Sequence, residues 1–344
     1  MWAIASSLWP AAFRASRSTF THRPMDNVAA SVSSVASAPL GRSTCWSGTS
    51  PRPLRGRCSL GTSPTSLLGE GGCTWRRGVE FIRTNVEADR PFFLYAPMIQ
   101  MHFPNWAHPD FDGTTGHGDR ADSLVELDHR VGQLLDVVDE LGIANETIFI
   151  FASDNGPEFR NPWRGTAGFW RGTYHTAMEG SLRVPCIMRW PGRVASGAVS
   201  NEIVHIPDVY GTFATVAGVT DLPVDRPIDS IDQSGFLFGD AAKSSREGFL
   251  FWIKKDLRAV KWRDWKLHYW WEPEVNEGKG KLEAPYLFNL IQDPKEETNV
   301  AINNTWVSSP ISRMVYKFNQ SLIEYPPIPP GVPDPFDPAT LQGR

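Results

Sequence analysis

The stretch Thr147-Ile-Phe-Ile-Phe-Ala-Ser-Asp-Asn-Gly-Pro157 constrains this chain more than any other. Ile148 to Ala152 are apolar without a break and are bounded by turn-forming residues, a pattern that reads as a strand covered on both faces. Such strands belong to parallel sheets, and in open α/β sheets ligands gather just beyond the carboxyl ends of the strands. Asp154 and Asn155 are therefore expected at the mouth of a site. A carboxylate beside a carboxamide offers hard oxygen ligands of the kind Ca²⁺ or Mg²⁺ takes. Asp-Asn-Gly is also ordinary turn chemistry after a strand, so these residues alone do not decide between the two readings.

From Thr74 onward, helix and strand signals alternate in the α/β manner. Residues 78–87 form a short amphipathic helix candidate, and Pro91-Phe-Phe-Leu-Tyr-Ala-Pro97 reads as a buried strand. Over 121–141, Leu124, Leu127, Val131, Leu134, Leu135, Val138 and Leu141 recur at helical spacing, and Gly142 follows as a C-cap. That helix would run about 30 Å and then feed the strand ending at Asp154. Strand, helix, strand is the unit of a parallel sheet. Met101-His-Phe-Pro104 follows the first of these strands closely. A lone loop histidine is more often structural than catalytic, but if the two strands are near neighbours, His102 and Asp154 come to one sheet edge.

Net charge of −4 leaves no basic footprint for nucleic acid. No apolar run approaches the roughly 20 residues of a membrane span. Residues 1–73 differ from the rest: they are rich in Ser, Ala and Arg, carry only Asp26 as an acid before Glu70, and show no sustained period. They read as an irregular or disordered leader. Three accounts stay open for it: a long transit peptide, a secretory signal with a poor pattern (Pro10 and no leading positive charge), or sequence that is not native coding sequence. Cys45, Cys58 and Cys73 lie there, whereas Cys186, inside Val184-Pro-Cys-Ile-Met188, is expected to be a small buried hydrophobe. Asn145-Glu-Thr147, Asn303-Asn-Thr305 and Asn319-Gln-Ser321 are glycosylation sequons that lean toward a secretory origin.

Seven segments in register carry a resemblance. They are Pro91-Phe-Phe-Leu-Tyr-Ala-Pro97 with His102-Phe-Pro104, Glu126-Leu-Asp-His-Arg-Val-Gly132, Ser153-Asp-Asn-Gly156, Glu179-Gly-Ser-Leu-Arg-Val-Pro185, Arg189-Trp-Pro-Gly192, Asp208-Val-Tyr-Gly-Thr-Phe-Ala-Thr-Val-Ala-Gly218, and Leu287-Phe-Asn-Leu-Ile-Gln-Asp-Pro-Lys-Glu-Glu-Thr-Asn299. In order and spacing this chain resembles the type I sulfatases over about residues 74–338. The resemblance implies an alkaline-phosphatase-like α/β sheet domain, incomplete at its N-terminus, with a small C-terminal α+β subdomain. On that reading residues 74–243 are the C-terminal part of the catalytic domain and 244–344 the subdomain. Independently, Arg258-Ala-Val260 and Trp265-Lys-Leu-His-Tyr-Trp270, joined through Trp262-Arg-Asp264, read as an antiparallel hairpin there.

The family hydrolyses sulfate esters with a formylglycine made from Cys or Ser and with Ca²⁺ or Mg²⁺ beside it. What the resemblance implies here is that Asp154 and Asn155 are metal ligands and that His102 contacts the sulfate and protonates the leaving oxygen. The partner is then a sulfated small molecule or a sulfated glycan, and the setting secreted or lysosomal. Tryptophans 106, 163 and 170 lie in loops near the expected mouth, where they could stack on substrate or simply pack.

The chain also departs from the family. None of its cysteines sits in Cys-X-Pro-Ser-Arg, and the paired N-terminal aspartates are missing. Tyr174 stands where many sulfatases have a sulfate-binding Lys, and Ser181 replaces the second Gly of Glu-Gly-Gly. Arg171 and His175 could restore the positive charge, Arg being a good fork for an oxyanion, or they could be structural. The expectation is a sulfuric ester hydrolase by family whose chain, as written, lacks the nucleophile and is poorly soluble or inactive. The alternative is a noncatalytic relative that binds sulfated glycans or a protein. A two-zinc phosphatase is disfavoured because Asn155 stands where those enzymes place His.

Overall fold

The computed structural model describes residues 2–7, 64–219, 222, 224, 226–275, 277–329 and 331–332. Readings made for 8–63, among them those on Cys45 and Cys58, lie outside the described residues. Two compact units divide the chain: the described parts of Met1–Ser153 with Pro185–Ala198, and those of Asp154–Val184 with Val199–Asp334.

The first unit contains β1 (Trp2–Ser7), α1 (Pro64–Glu87), β2 (Phe92–Pro97), α2 (Asp119–Glu140), β3 (Thr147–Ala152) and β4 (Cys186–Arg189). α1 starts well upstream of the expected residue 78, inside the segment read as irregular. Its opening Pro64 has the φ a first helical residue needs and lacks only an N–H that would be unpaired anyway. Farther along, a Cβ added at Gly78 would stand 3.1 Å from the Leu134 side chain, so the glycine lets α1 and α2 close on each other. α2 terminates as the sequence suggests, with Leu141 as its C-cap and Gly142 just beyond at φ +68.

The sheet order is β2-β1-β3-β4, and every hydrogen-bonded pair is antiparallel. The expected parallel pairing is therefore corrected. β2 and β3 do run the same way with α2 between them in sequence, but β1 lies between them and pairs with both. The unbroken apolar run of β3 comes from its internal position between β1 and β4, with its four leading residues buried. Trp2 pairs with Pro97 on one side and Ala152 on the other, so the C-terminal ends of β2 and β3 reach the same sheet edge. Ile82, Leu94, Leu134, Val138 and Phe149 form the core between helices and sheet. Each such side chain, fully buried, contributes roughly 1.5–3 kcal/mol. Cys186 is exposed rather than buried, because it opens the edge strand β4.

The second unit holds the short helices α3 (Glu179–Leu182), α4 (Asp208–Val216) and α5 (Ser234–Leu237). Its sheet is β5 (Gly248–Ile253), β6 (Asp256–Trp262), β7 (Trp265–Trp271) and β8 (Gly280–Asn289), antiparallel in that order, followed by α6 (Ser308–Glu324). Ala259 pairs with His268 and Trp262 with Trp265, which makes β6 and β7 the hairpin expected around Arg263-Asp264. Val260, Leu287, Val307 and Ile311 form the core under α6. Arg246 Nε donates to the fully buried Asp208 at 2.8 Å, which ties the start of α4 to the entrance of β5. Residues 154–184 belong to the same compact unit as this C-terminal sheet.

Candidate active site

In the first unit, the loop leaving β2 carries His102. Its backbone N–H donates to the carbonyls of Ile99 and Gln100, at 3.2 and 3.1 Å, and its own carbonyl accepts from Asn105 Nδ2 at 3.3 Å. Met101, just before it, has φ +76, a left-handed conformation that non-glycine residues take only when the surroundings impose it. The exposed imidazole stacks on Phe103 with centroids 4.9 Å apart, and Nδ1 lies 2.6 Å from the Phe103 carbonyl. A carbonyl can only accept, so Nδ1 carries the hydrogen and Nε2 is the nitrogen left to take or give a proton. His102, Gln100, Asn105, Trp106 and Glu126 line a cleft of about 220 Å³.

In the second unit, the residues after Asp154 and those around Glu179 are knitted together by backbone. Gly156 N donates to Ser181 O at 2.8 Å, Tyr174 N to Pro157 O at 2.9 Å, and Gly180 N to Arg171 O at 2.7 Å. A Cβ at Gly156 would lie 2.0 Å from Gly180 O, and one at Gly180 would lie 2.5 Å from Gly172 O. The two motifs need glycine because their main chains touch. Tyr174, where the sulfatase pattern has Lys, is exposed beside this seam.

Asp154 is exposed and Asn155 half-buried. Asn155 Nδ2 donates to Gly156 O at 2.8 Å, which fixes the orientation of the carboxamide. Their donor chemistry, adjacent carboxylate and amide oxygens, fits a hard divalent cation. Two residues supply only part of the six to eight oxygens such an ion takes, roughly speaking. Among the described residues no cluster of three or more His, Cys, Asp and Glu could hold a metal ion.

Arg171, half-buried, donates from Nη1 to Glu296 O at 3.5 Å and lies 5.7 Å from the Trp271 ring centroid. His175 is exposed with φ +71. Trp170 has the Arg183 guanidinium 3.9 Å over its ring, a packing contact, whereas Trp106 is exposed.

Sequence reasoning missed the charge cluster beneath this loop. Glu179, fully buried, accepts from Lys261 Nζ at 2.8 Å, Lys266 Nζ at 3.1 Å and Arg183 Nε at 2.7 Å. Glu296, also buried, accepts from the Glu179 backbone N–H at 2.8 Å and lies 2.5 Å from His268 Nε2. Burial alone would raise the Glu179 pKa, but Lys266, Lys261 and Arg183 outweigh it and hold the carboxyl well below the usual carboxylate range. Glu296 moves the same way against burial, through Lys266 and His268. A signal was present: Lys266 and His268 share one face of a strand whose other residues are Trp, Tyr and Leu.

The family model "Sulfatase" matches residues 15–219, and "C-terminal region of aryl-sulfatase" matches 244–329. The chain is 34% identical to steryl-sulfatase of Mus musculus over 66% of its own length and 40% of that protein's. It is 33% identical to arylsulfatase A of Bos taurus, over 72% and 54% respectively. The crystal structure of PsFucS1 sulfatase from Pseudoalteromonas sp. superposes with a TM-score of 0.72 at 30% identity, covering 77% of this chain and 55% of that one. The chain spans about half the length of the curated relatives it matches. With the touching glycine motifs, the alkaline-phosphatase-like sheet and the matches on both sides of residue 219, this chain belongs to the sulfatase family.

Proposed function

We propose that the protein to which this chain belongs hydrolyses sulfate esters, with His102 giving a proton to the departing oxygen and Arg171 and His175 facing the sulfate. The observation that carries the reading is the contact of Gly156 with Gly180, which fixes Asp154-Asn155 against the loop bearing Arg171 and His175. A sulfate ester must release an alkoxide or phenoxide from a sulfur ringed by anionic oxygens. A fixed cation and a proton donor relieve that developing charge. Asp154 and Asn155 are the residues that would hold a Ca²⁺ or Mg²⁺ ion, whose contribution is to polarise the ester oxygens. With Nδ1–H held on Phe103 O, the imidazolium form of His102 carries on Nε2 the proton it gives to the departing oxygen, and the ring left behind is the neutral Nδ1–H tautomer.

Arginine gives this reading a fork for an oxyanion in place of the lysine replaced by Tyr174. The relatives are named for steryl and aryl sulfates, and either a sulfated small molecule or a sulfated glycan fits the same chemistry. A secreted or lysosomal setting accords with the sequons. Among the described residues, no helix is long and apolar enough to cross a membrane.

The second reading rests on the four cysteines, none followed by X-Pro-Ser-Arg. On this reading the 344-residue chain, in which no Ser is followed by X-Pro-Ser-Arg either, is noncatalytic and binds sulfated glycans or a protein partner. Aryl sulfate hydrolysis by the protein to which this chain belongs, compared with His102→Ala and Asp154→Ala, tests the first reading. A fall in kcat of roughly a hundredfold or more in each is expected, and unchanged kcat in both overturns it. Turnover by the purified 344-residue chain overturns the second.

A further inference from the structure

Glu126 is only 3% exposed, sits in α2, and has no part in the chemistry described so far. Its Oε2 accepts the backbone N–H of His108 at 2.8 Å, and its Oε1 accepts Gln100 Nε2 at 3.2 Å. Positions 100 and 108 bracket the loop that carries His102, so one carboxylate grips the loop on both sides of the imidazole. Arg130, one helical turn on, places Nε 3.5 Å from Glu126 Oε1. Its guanidinium lies over the rings of Trp75 and Phe111, at 4.8 and 5.3 Å.

A buried carboxylate is costly unless it is paired and hydrogen-bonded. The helix does not need one, since Leu127, Leu134 and Val138 already hold α2 to the core. What uses both oxygens of Glu126 is the loop. Between its two grips lie Met101, in its left-handed conformation, and the His102 carbonyl held by Asn105. A left-handed non-glycine residue persists only where surrounding contacts determine it.

We propose that Glu126 is a positioning residue for His102: it sets the turn at Met101 so that the ring keeps its Nδ1–H bond to Phe103 O and presents Nε2 to the cleft. This rests on reading His102 as the proton donor. Glu126→Gln keeps the shape but turns an NH₂ group toward the Gln100 or His108 donor. Glu126→Asp keeps the charge but withdraws it by one methylene.

The test is the ring ¹⁵N spectrum of His102 in the full chain, which needs no turnover. The expected spectrum is a dominant Nδ1–H tautomer in the parent, a mixture of tautomers in Glu126→Gln, and partial recovery in Glu126→Asp. Gln100→Met, which leaves the helix untouched, should shift the same signals by less and covers the case in which Glu126→Gln does not fold. Unchanged His102 signals in a folded variant overturn the proposal. In the protein to which this chain belongs, kcat should fall about tenfold in Glu126→Gln, the effect of about 1.4 kcal/mol on a barrier, with KM within about twofold. If His102→Ala keeps full activity, the proton-donor reading fails while the spectral result still stands.

Discussion

Lys261 and Lys266 face each other across the β6–β7 hairpin, and both ammonium groups end on Glu179, at 2.8 and 3.1 Å. Two cations directly opposite on one sheet face repel unless an anion joins them. Glu179 joins them, and its next residue, Gly180, carries the backbone that touches Gly156. The C-terminal sheet thereby fixes the loop on which the candidate ligands rest.

Lys266→Met should cost about 3 kcal/mol, because removing one partner leaves Glu179 and Glu296 buried with less compensation. Chemical denaturation followed by tryptophan fluorescence of the second unit checks this. The exposed pair Arg189–Asp139 is the control, and Asp139→Ala should cost no more than about 1 kcal/mol.

Acid should weaken this region only once pH falls below the ordinary carboxyl pKa. Glu179 is buried, yet Lys266, Lys261 and Arg183 hold its folded pKa below the ordinary value of 4.5. A depressed carboxyl contributes stability that is full above the unfolded pKa and is lost as pH falls through the folded one. Burial pushes the Lys261 ammonium down against the pull of Glu179, but that acts on the alkaline side and does not enter this window. The denaturation midpoint should be flat from neutrality to about pH 5 and fall below about pH 4.5, more shallowly in Glu179→Gln.

Two glycine substitutions should act in opposite senses. Gly180→Ala drives a methyl into the Gly172 carbonyl and should destabilise by about 3 kcal/mol. Gly132→Ala, inside α2 with nothing within 4 Å of the new carbon, should stabilise by about 0.5 to 1 kcal/mol. Equal effects at both positions would contradict the contact drawn at the Asp154 seam.

Much of this was legible because periodicity reports burial. The β3 run, the β6–β7 hairpin and the α2 pattern from Leu127 onward follow from side chains that must face a core, whereas Leu124 of the expected stripe is exposed. Strand direction was not legible, since an internal strand reads the same whether its neighbours run parallel or antiparallel. The start of α1 was obscured by Gly69, Gly71 and Gly72, which are poor helix formers and interrupt any apolar period. The Glu179 cluster escaped because its members are far apart in the chain, from Arg183 to Glu296, and only the fold brings them together. Glu126 was visible as a motif residue, but its grip on positions 100 and 108 appears only in three dimensions.

The most direct test is calorimetric titration of an aryl sulfate into the 344-residue chain with and without calcium. The account predicts binding that requires the ion and is lost in Asp154→Ala, while circular dichroism of the variant is unchanged. Binding indifferent to both the ion and Asp154 would contradict the assignment of Asp154 and Asn155 as ligands.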